Sequence, residues 1–456
     1  MTNLADRIGK WIQWALPSPF TIAILLTVAT FVLAFLFTEA SSASVFYAWE
    51  NGLWNPSLLA FAVQMMLILV LGHCLALSPP IHALISKLTQ IPKSTAEAAA
   101  LVAFCTLSLS LFNWGLGLIF GAVFARKTGE ALEAKNIKFN YPLIGAAGYA
   151  GFMVWHGGIS GSATTKVAES GHLASLMQGS KGFLEKIPDS ISFSETVFSS
   201  MNLMGSLGIL ILLPALFFLI GKRIKPELET NLALKKENQN ASIQIQGLDR
   251  LDHLGLFSKL IGGIIILYFL WVGYERYIQD GFRFINPNYL NGMFLGLCLI
   301  LHKSIHGFLN GIQDAISGAS GILIQFPLYF GIMGIMKSTG MIQEVSDFFV
   351  SISNQTTYPI FTLISAGLVN VFVPSGGGQW AVQGPIIVSS SLALDVSLPK
   401  AIMALCYGDQ LTNMLQPFWA LPLLGITGLK AKKILPFTLL MMMAGFIWYI
   451  LILLMY

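Results

Sequence analysis

Asp409, Gln410, Thr412, Asn413 and Gln416 crowd into Tyr407–Trp419, part of a segment otherwise apolar enough to lie inside a membrane. A carboxylate at that depth is costly unless it is paired or used. Asp409 therefore reads as a cation-coupling group, for Na⁺ or a proton, with Gln410 beside it. The alternative is a structural acid bonded to a neighbouring helix. Gly408 and Pro417 both weaken a helix, which predicts an unwound stretch over 408–417. Asn413 and Gln416 would then face a ligand.

A second cluster is Trp155-His156-Gly157-Gly158-Ile159-Ser160-Gly161-Ser162-Ala163-Thr164-Thr165. Its glycines predict unwinding over 156–165. Opened carbonyls can hold a cation, and free N–H groups at a helix start can hold an anion. Small residues also permit tight helix packing, but packing alone does not call for hydroxyls at 160, 162, 164 and 165. Gly157, Gly158, Ser160 and Ser162 are candidate substrate contacts, and Ser160 is also a candidate cation ligand. His156 has two readings, a proton relay or a satisfied structural histidine.

Two glycine-rich interruptions complete the set. One is Asn113-Trp114-Gly115-Leu116-Gly117, and the other is Pro374-Ser375-Gly376-Gly377-Gly378-Gln379-Trp380. Glycine lets backbone approach a ligand closely. Asn113, Ser375 and Gln379 can add side-chain bonds, and Asn113 can also serve the cation; Trp114 and Trp380 offer apolar walls. Tight turns anchored by interfacial Trp are the competing reading. The centre holds no Lys or Arg, and Lys166 is the nearest. A carboxylate with a short apolar tail suits it, and a multiply charged phosphate does not.

Residues of this kind need a scaffold that holds them at one depth. The chain has 456 residues, mean hydropathy +0.71, 55% apolar and 11% charged residues. That excludes an ordinary soluble domain and predicts an all-α polytopic membrane protein in a lipid bilayer. The net charge of +4 needs no nucleic-acid partner. Cys74, Cys105, Cys298 and Cys406 lie in apolar stretches without metal-ligand spacing, so packed free thiols are expected, with no cofactor and no metal beyond a coupling Na⁺. The first apolar run is too long for a cleaved signal. Leu4, Ile8, Trp11, Ile12 and Ala15 before it have the spacing of a surface helix.

Spanning helices are expected near 17–38, 56–78, 139–163, 196–221, 257–275, 285–303, 314–338, 397–427 and 433–455. The stretches 95–127 and 357–394 are too long for one crossing and carry their glycine breaks near the middle. A re-entrant hairpin fits each; two short tilted crossings are the alternative. Element by element the two halves correspond, with Gln64 matching Gln325 and Phe112 matching Phe372. The predicted division is a first membrane repeat at 1–221, a cytoplasmic linker at 222–256, a connecting helix and loop at 257–284, and a second repeat at 285–456. The one extra helix makes the repeats inverted, each with a re-entrant hairpin and a discontinuous helix. Most of the 26 Lys and Arg then fall on one face, leaving Lys166, Lys181, Lys186, Arg276, Arg283, Lys337 and Lys400 opposite. The positive-inside rule puts the first face, and the N-terminus, in the cytoplasm and the C-terminus outside.

Other functions have weaker support. Gly158-Ile159-Ser160-Gly161 fits the short pattern of an intramembrane serine protease, but that chemistry needs a histidine aimed at Ser160, and neither His73 nor His302 has a convincing setting. The zinc-protease and P-loop motifs are missing. A passive anion channel fits the inverted hairpins less well than alternating access does.

The same motifs resemble the bacterial short-chain fatty acid transporter family. The matching stretches are Phe112–Leu118 with Gly121–Arg126, Val373–Trp380 with Gln383-Gly384-Pro385, and Tyr407–Gln410 with Asn413-Met414 and Gln416–Pro422. The resemblance runs from Trp14 to the last helix. It implies cation-coupled symport of small monocarboxylates such as acetoacetate or butyrate across the bacterial inner membrane. It further implies kinship with the ion transporter superfamily, whose members are often dimers with an elevator-like motion. In the family Glu often stands where this chain has Asp409, and Gly where it has His156.

Overall fold

The computed structural model describes residues 18–177, 187–226, 247–280 and 284–456, which are helical with no β-strand among them. The surface segment expected before residue 17, most of the linker, and Lys181, Lys186 and Arg283 lie outside the described residues. Among the described residues, seven helical stretches are long and apolar enough to cross a membrane: Pro19–Phe37, Ser42–Leu75, Thr95–Phe112, Ser200–Arg223, Gly255–Ile278, Ser320–Ser338 and Ala431–Met455. The chain is a multi-pass membrane protein.

Helices α1 (Pro19–Phe37), α2 (Ser42–Leu53) and α3 (Pro56–Leu77) open the fold. Ser18, Ser41 and Asn55 cap them by accepting the N–H three residues on, which satisfies a donor that lipid could not. No spanning helix was expected at α2. Its anchor is steric: a Cβ on Gly52 would sit 3.0 and 3.1 Å from the Cα atoms of Gly331 and Gly334. Small residues let the two backbones meet.

After α4 (Pro79–Thr89), helices α5 (Thr95–Phe112) and α6 (Trp114–Ala134) form the first hairpin, broken at Asn113 alone. The interrupted segment follows. It comprises α7 (Tyr141–Ala147), 3₁₀ turns at Ala150–Met153 and Trp155–Gly157, and α8 (Ser162–Val167). The expected continuous start at 139 and the unwound stretch 156–165 are thus both corrected. Helix is lost from Gly148, where Gly145, Gly148 and Gly151 recur, and is regained at Ser162. Next come α9 (Ser200–Arg223), α10 (Gly255–Asp280), α11 (Pro287–Leu301), α12 (Ile305–Ile316) and α13 (Ser320–Ser338). The spans expected at 285–303 and 314–338 are shorter than predicted. Left-handed Lys303 (φ 67°) and the Ser304 cap carve α12 out between them.

The chain continues through α14 (Met341–Ser351) into the second hairpin, α15 (Tyr358–Phe372) and α16 (Gly376–Ala393). It ends with α17 (Leu398–Thr412), a 3₁₀ turn at Asn413–Leu415, α18 (Pro417–Thr427) and α19 (Ala431–Met455). The predicted unwinding over 408–417 shrinks to 413–416. Gly408 stays helical, and a Cβ there would collide with the Leu363 carbonyl of α15. Pro417 holds Gln416 extended (φ −89°, ψ 119°), so the break falls there.

Helices α1 and α2 pack on α13, while α3 packs on α11. Arg126 donates to the Ile426 carbonyl over 2.8 Å, Lys135 to that of Gln90 over 2.9 Å, and Asn140 to that of Lys225 over 3.2 Å. These contacts tie together chain segments that the sequence assigned to the basic face.

Candidate functional site

The hairpin tips are built alike. Asn113 Oδ1 accepts the Leu116 N–H at 3.0 Å and starts α6, and Ser375 Oγ accepts the Gly378 N–H at 3.2 Å and starts α16. Both tips converge on the interrupted segment. At the first, Trp114 N–H donates to Ser160 Oγ over 3.0 Å and Ile159 N–H to the Leu111 carbonyl over 2.9 Å. At the second, a Cβ on Gly376 would lie 2.9 Å from Asp409 Oδ2 and from His156 Cε1, and 2.8 Å from the Trp155 ring. One on Gly377 would lie 3.9 Å from Ser162. Consecutive glycines therefore touch two different groups.

The first group is a cavity of about 210 Å³. Asn113, Trp114, Ser160 and Ser162 line it, with Phe112, Ile159, Thr165, Glu169 and the start of α11 at Ile285, Asn286 and Pro287. Asn113 Nδ2 reaches the Ile285 carbonyl at 3.1 Å. Glu169 and Ile285 were not among the residues expected here.

The second group is enclosed. Asp409 and His156 are buried, with Oδ2 2.5 Å from Nδ1, in contact but out of line for a hydrogen bond. The Ala163 N–H points at His156 Nε2 over 3.0 Å. A nitrogen that accepts a bond carries no proton, so the neutral ring holds its hydrogen on Nδ1, against the carboxylate. Gln410 Oε1 accepts the His156 backbone N–H at 3.2 Å. Trp155 stacks on His156 with ring centroids 4.5 Å apart, and Trp114 meets Trp155 at 6.1 Å.

Asn370, which the sequence reading passed over, braces the break in the second half. The two hydrogens of its Nδ2 are shared among the Asp409 carbonyl (2.8 Å), Thr412 Oγ1 (3.0 Å) and Asn413 Oδ1 (2.8 Å), and its carbonyl accepts from Gln416 Nε2. A lone Asn in an apolar helix, three residues before Val373-Pro374, was the available signal. Tyr149 donates to the Asn413 carbonyl over 2.9 Å. Asn370 Oδ1, Gln416 Oε1, Gln410 Nε2 and Asn413 Nδ2 are buried without a hydrogen-bond partner among the described residues. Asn413 and Gln416 thus belong to this enclosed cluster and not to the cavity lining.

The remaining predicted residues hold the tips in shape. Gln379 donates to the Ala366 carbonyl (2.8 Å) and to Gln383 (2.7 Å), and Trp380 donates to His172 (3.0 Å). Both point away from the cavity lining. Gly117 abuts Ser110 on the opposite arm, Gly158 the Leu111 carbonyl, and Gly157 the Asn202 side chain. Gly115 faces Leu290 and Ile68, and Gly378 lies against Met333. Ser160 has no base beside it: its Oγ accepts from Trp114, His156 Nε2 is taken by Ala163, and His302 Nε2 sits 2.8 Å from the Cys74 carbonyl. That arrangement does not suit a serine nucleophile.

The sequence profile of the family described as short chain fatty acid transporter matches residues 1–456. A curated Escherichia coli (strain K12) protein, provisionally named a short-chain fatty acid transporter, is 35% identical over 434 residues, covering 94% of this chain and 92% of that protein. A Haemophilus influenzae protein with the same provisional name is 33% identical over 445 residues, covering 96% of each. Among solved structures, the Alcanivorax borkumensis YdaH transporter aligns with a TM-score of 0.44 and 12% identity, over 95% of this chain and 98% of that one.

Proposed function

The chain belongs to the short chain fatty acid transporter family, and from that premise we propose that it carries small monocarboxylates, such as acetoacetate or butyrate, by cation-coupled symport with alternating access. It is a transporter and not an enzyme. The observation that carries the mechanism is the convergence of both hairpin tips on 155–165, between an open cavity and a buried carboxylate. The substrate carboxylate sits at Asn113, Ser160 and Ser162, and its tail rests on Trp114 and Ile159. Asp409 binds the coupling ion, Na⁺ or a proton, in the enclosed group beside it. Glycines 376 and 377 link the two, so movement of one tip changes both sites together.

The crosswise packing of α1 on α13 and α3 on α11 supports a reading as two related halves of opposite orientation, at 1–221 and 285–456. In this reading the protein lies in the bacterial inner membrane with its N-terminus inside and its C-terminus outside. The exposed apolar side chains of α10, among them Leu256, Ile264, Leu267 and Trp271, face lipid or a second copy in a homodimer.

The direct test is uptake of a panel of short acids into proteoliposomes under imposed Na⁺ or pH gradients. Saturable, gradient-driven accumulation of a small monocarboxylate is expected. Unsaturable ion currents without accumulation would favour an anion channel.

A further inference from the structure

Among the described residues Asp409 is the one buried acid, and no Lys or Arg is buried with it. The Ala163 N–H points at His156 Nε2 and leaves the ring's hydrogen on Nδ1, facing the Asp409 carboxylate and its charge. Through Gly376 and Gly377 that charge lies one residue away from the wall of the cavity. A substrate carboxylate entering the cavity therefore meets a like charge in a poorly screened interior.

We propose, on the reading given above, that the coupling ion is a proton taken up by the Asp409 carboxylate, with His156 as the positioning residue that fits this site to a proton over Na⁺. One proton adds to a lone pair of the carboxylate, and no other bond forms or breaks. The ring cannot take it at Nε2 without releasing the Ala163 N–H. The neutral carboxyl then tolerates the substrate anion. One proton travels with one carboxylate, so the cycle moves no net charge. On the far side the proton leaves Asp409 as the substrate departs.

The surroundings of Asp409 Oδ2 favour this over Na⁺. His156 Nδ1 lies 2.5 Å from it, and a Cβ on Gly376 would meet Oδ2, His156 Cε1 and a Trp155 ring carbon together within 2.9 Å. Hard cations take shells of oxygen. The unpartnered amide oxygens of Asn370 and Gln416 belong to the break at 413–416, where Asn370 contacts the Asp409 main chain and not its carboxylate.

Few other titratable groups face the pair. Cys406 of α17 faces His156. Tyr407 stacks on Tyr449 of α19, with centroids 4.2 Å apart. Lys166 of α8 is exposed and paired with Glu169 over 3.2 Å. Helices α15 and α16 carry no charged side chain; Glu97 lies at the far end of α5 and Cys105 near its middle.

The test uses purified full-length protein in proteoliposomes, radiolabelled butyrate and acetoacetate, and a membrane potential clamped with an ionophore. For the wild type a pH gradient alone should drive accumulation. A Na⁺ gradient alone, or a potential alone, should not. His156→Gln should cut pH-driven accumulation about tenfold and displace the half-maximal pH by about one unit, the shift a tenfold change in proton occupancy implies. A merely structural histidine would lower transport without moving that pH. Accumulation by the wild type on a Na⁺ gradient alone, or charge movement with each substrate, overturns the proton assignment and leaves the transporter reading standing. An unmoved pH profile in a folded His156→Gln protein removes the part given to His156. If that variant does not fold, the wild-type gradients still decide. Failure of the wild type to take up any short acid under any gradient would instead remove the transport reading itself.

Discussion

The backbone N–H of Trp114 donates to Ser160 Oγ over 3.0 Å, joining the tip of the first hairpin to the interrupted segment. Ser160→Ala leaves that half-buried N–H without its partner, at a cost of about 1–2 kcal/mol. The tip should loosen and the cavity wall should shift. The expected result is a KM for butyrate raised about tenfold, with a small loss of melting temperature. Uptake kinetics with an unchanged KM would show that the bond does not shape the binding wall.

Adjacent glycines of the second tip should respond very differently to one added methyl group. A Cβ on Gly376 meets Trp155, His156 and Asp409 within 2.9 Å, and those side chains are buried with little room to yield. A Cβ on Gly377 meets nothing closer than 3.9 Å. Gly376→Ala should reduce uptake at least about tenfold, in the range of an overpacked interior, while Gly377→Ala should bind substrate with its overall fold undisturbed. Equal losses in the two would mean that the tip does not seat on the His156–Asp409 pair. Comparison of initial rates and melting curves decides between these outcomes.

Asp409→Asn keeps size and hydrogen-bonding capacity but removes the titratable charge. Ion-driven accumulation should be abolished while the protein still purifies as a folded species by size exclusion. Undiminished concentrative uptake by this variant would remove Asp409 from the coupling role.

The two hydrogens of Asn370 Nδ2 are shared among three acceptors across the break in the second half. Asn370→Leu removes these contacts and strands Asn413 Oδ1. Interhelical bonds of this kind are individually modest, so the expected loss is about 1–2 kcal/mol, read as a lowered melting temperature in detergent. Unchanged stability together with unchanged transport would make the brace dispensable.

The sequence exposed the helical fold, the two hairpins and the locations of both breaks, because apolar runs and glycine interruptions inside them have few other solutions in a bilayer. It misjudged how far each break extends. Gly408 looks like a helix breaker until a Cβ there is seen to collide with the Leu363 carbonyl, where a glycine is needed inside the helix for close packing. Gln379 and Trp380 look like ligand contacts because they sit in the tip motif, yet they point back to Ala366 and His172. Sequence gives no direction for a side chain. Asn370 was legible as a polar residue in an apolar helix, but its value depends on Thr412 and Asn413, forty residues away, and that proximity is a product of folding.

The second tip presents backbone and hydrogen atoms, with no side chain at 376, 377 or 378 able to distinguish one acid from the next. On the proposed reading, discrimination by tail length falls to the apolar lining of the cavity, at Phe112, Trp114, Ile159 and Ile285. Trimming Ile159 to Ala should extend the accepted acids by a carbon or two without altering the driving gradient. The grip and the gauge would then be separate parts, and the set of solutes could change by drift in that lining while the energy-coupling device stays as it is.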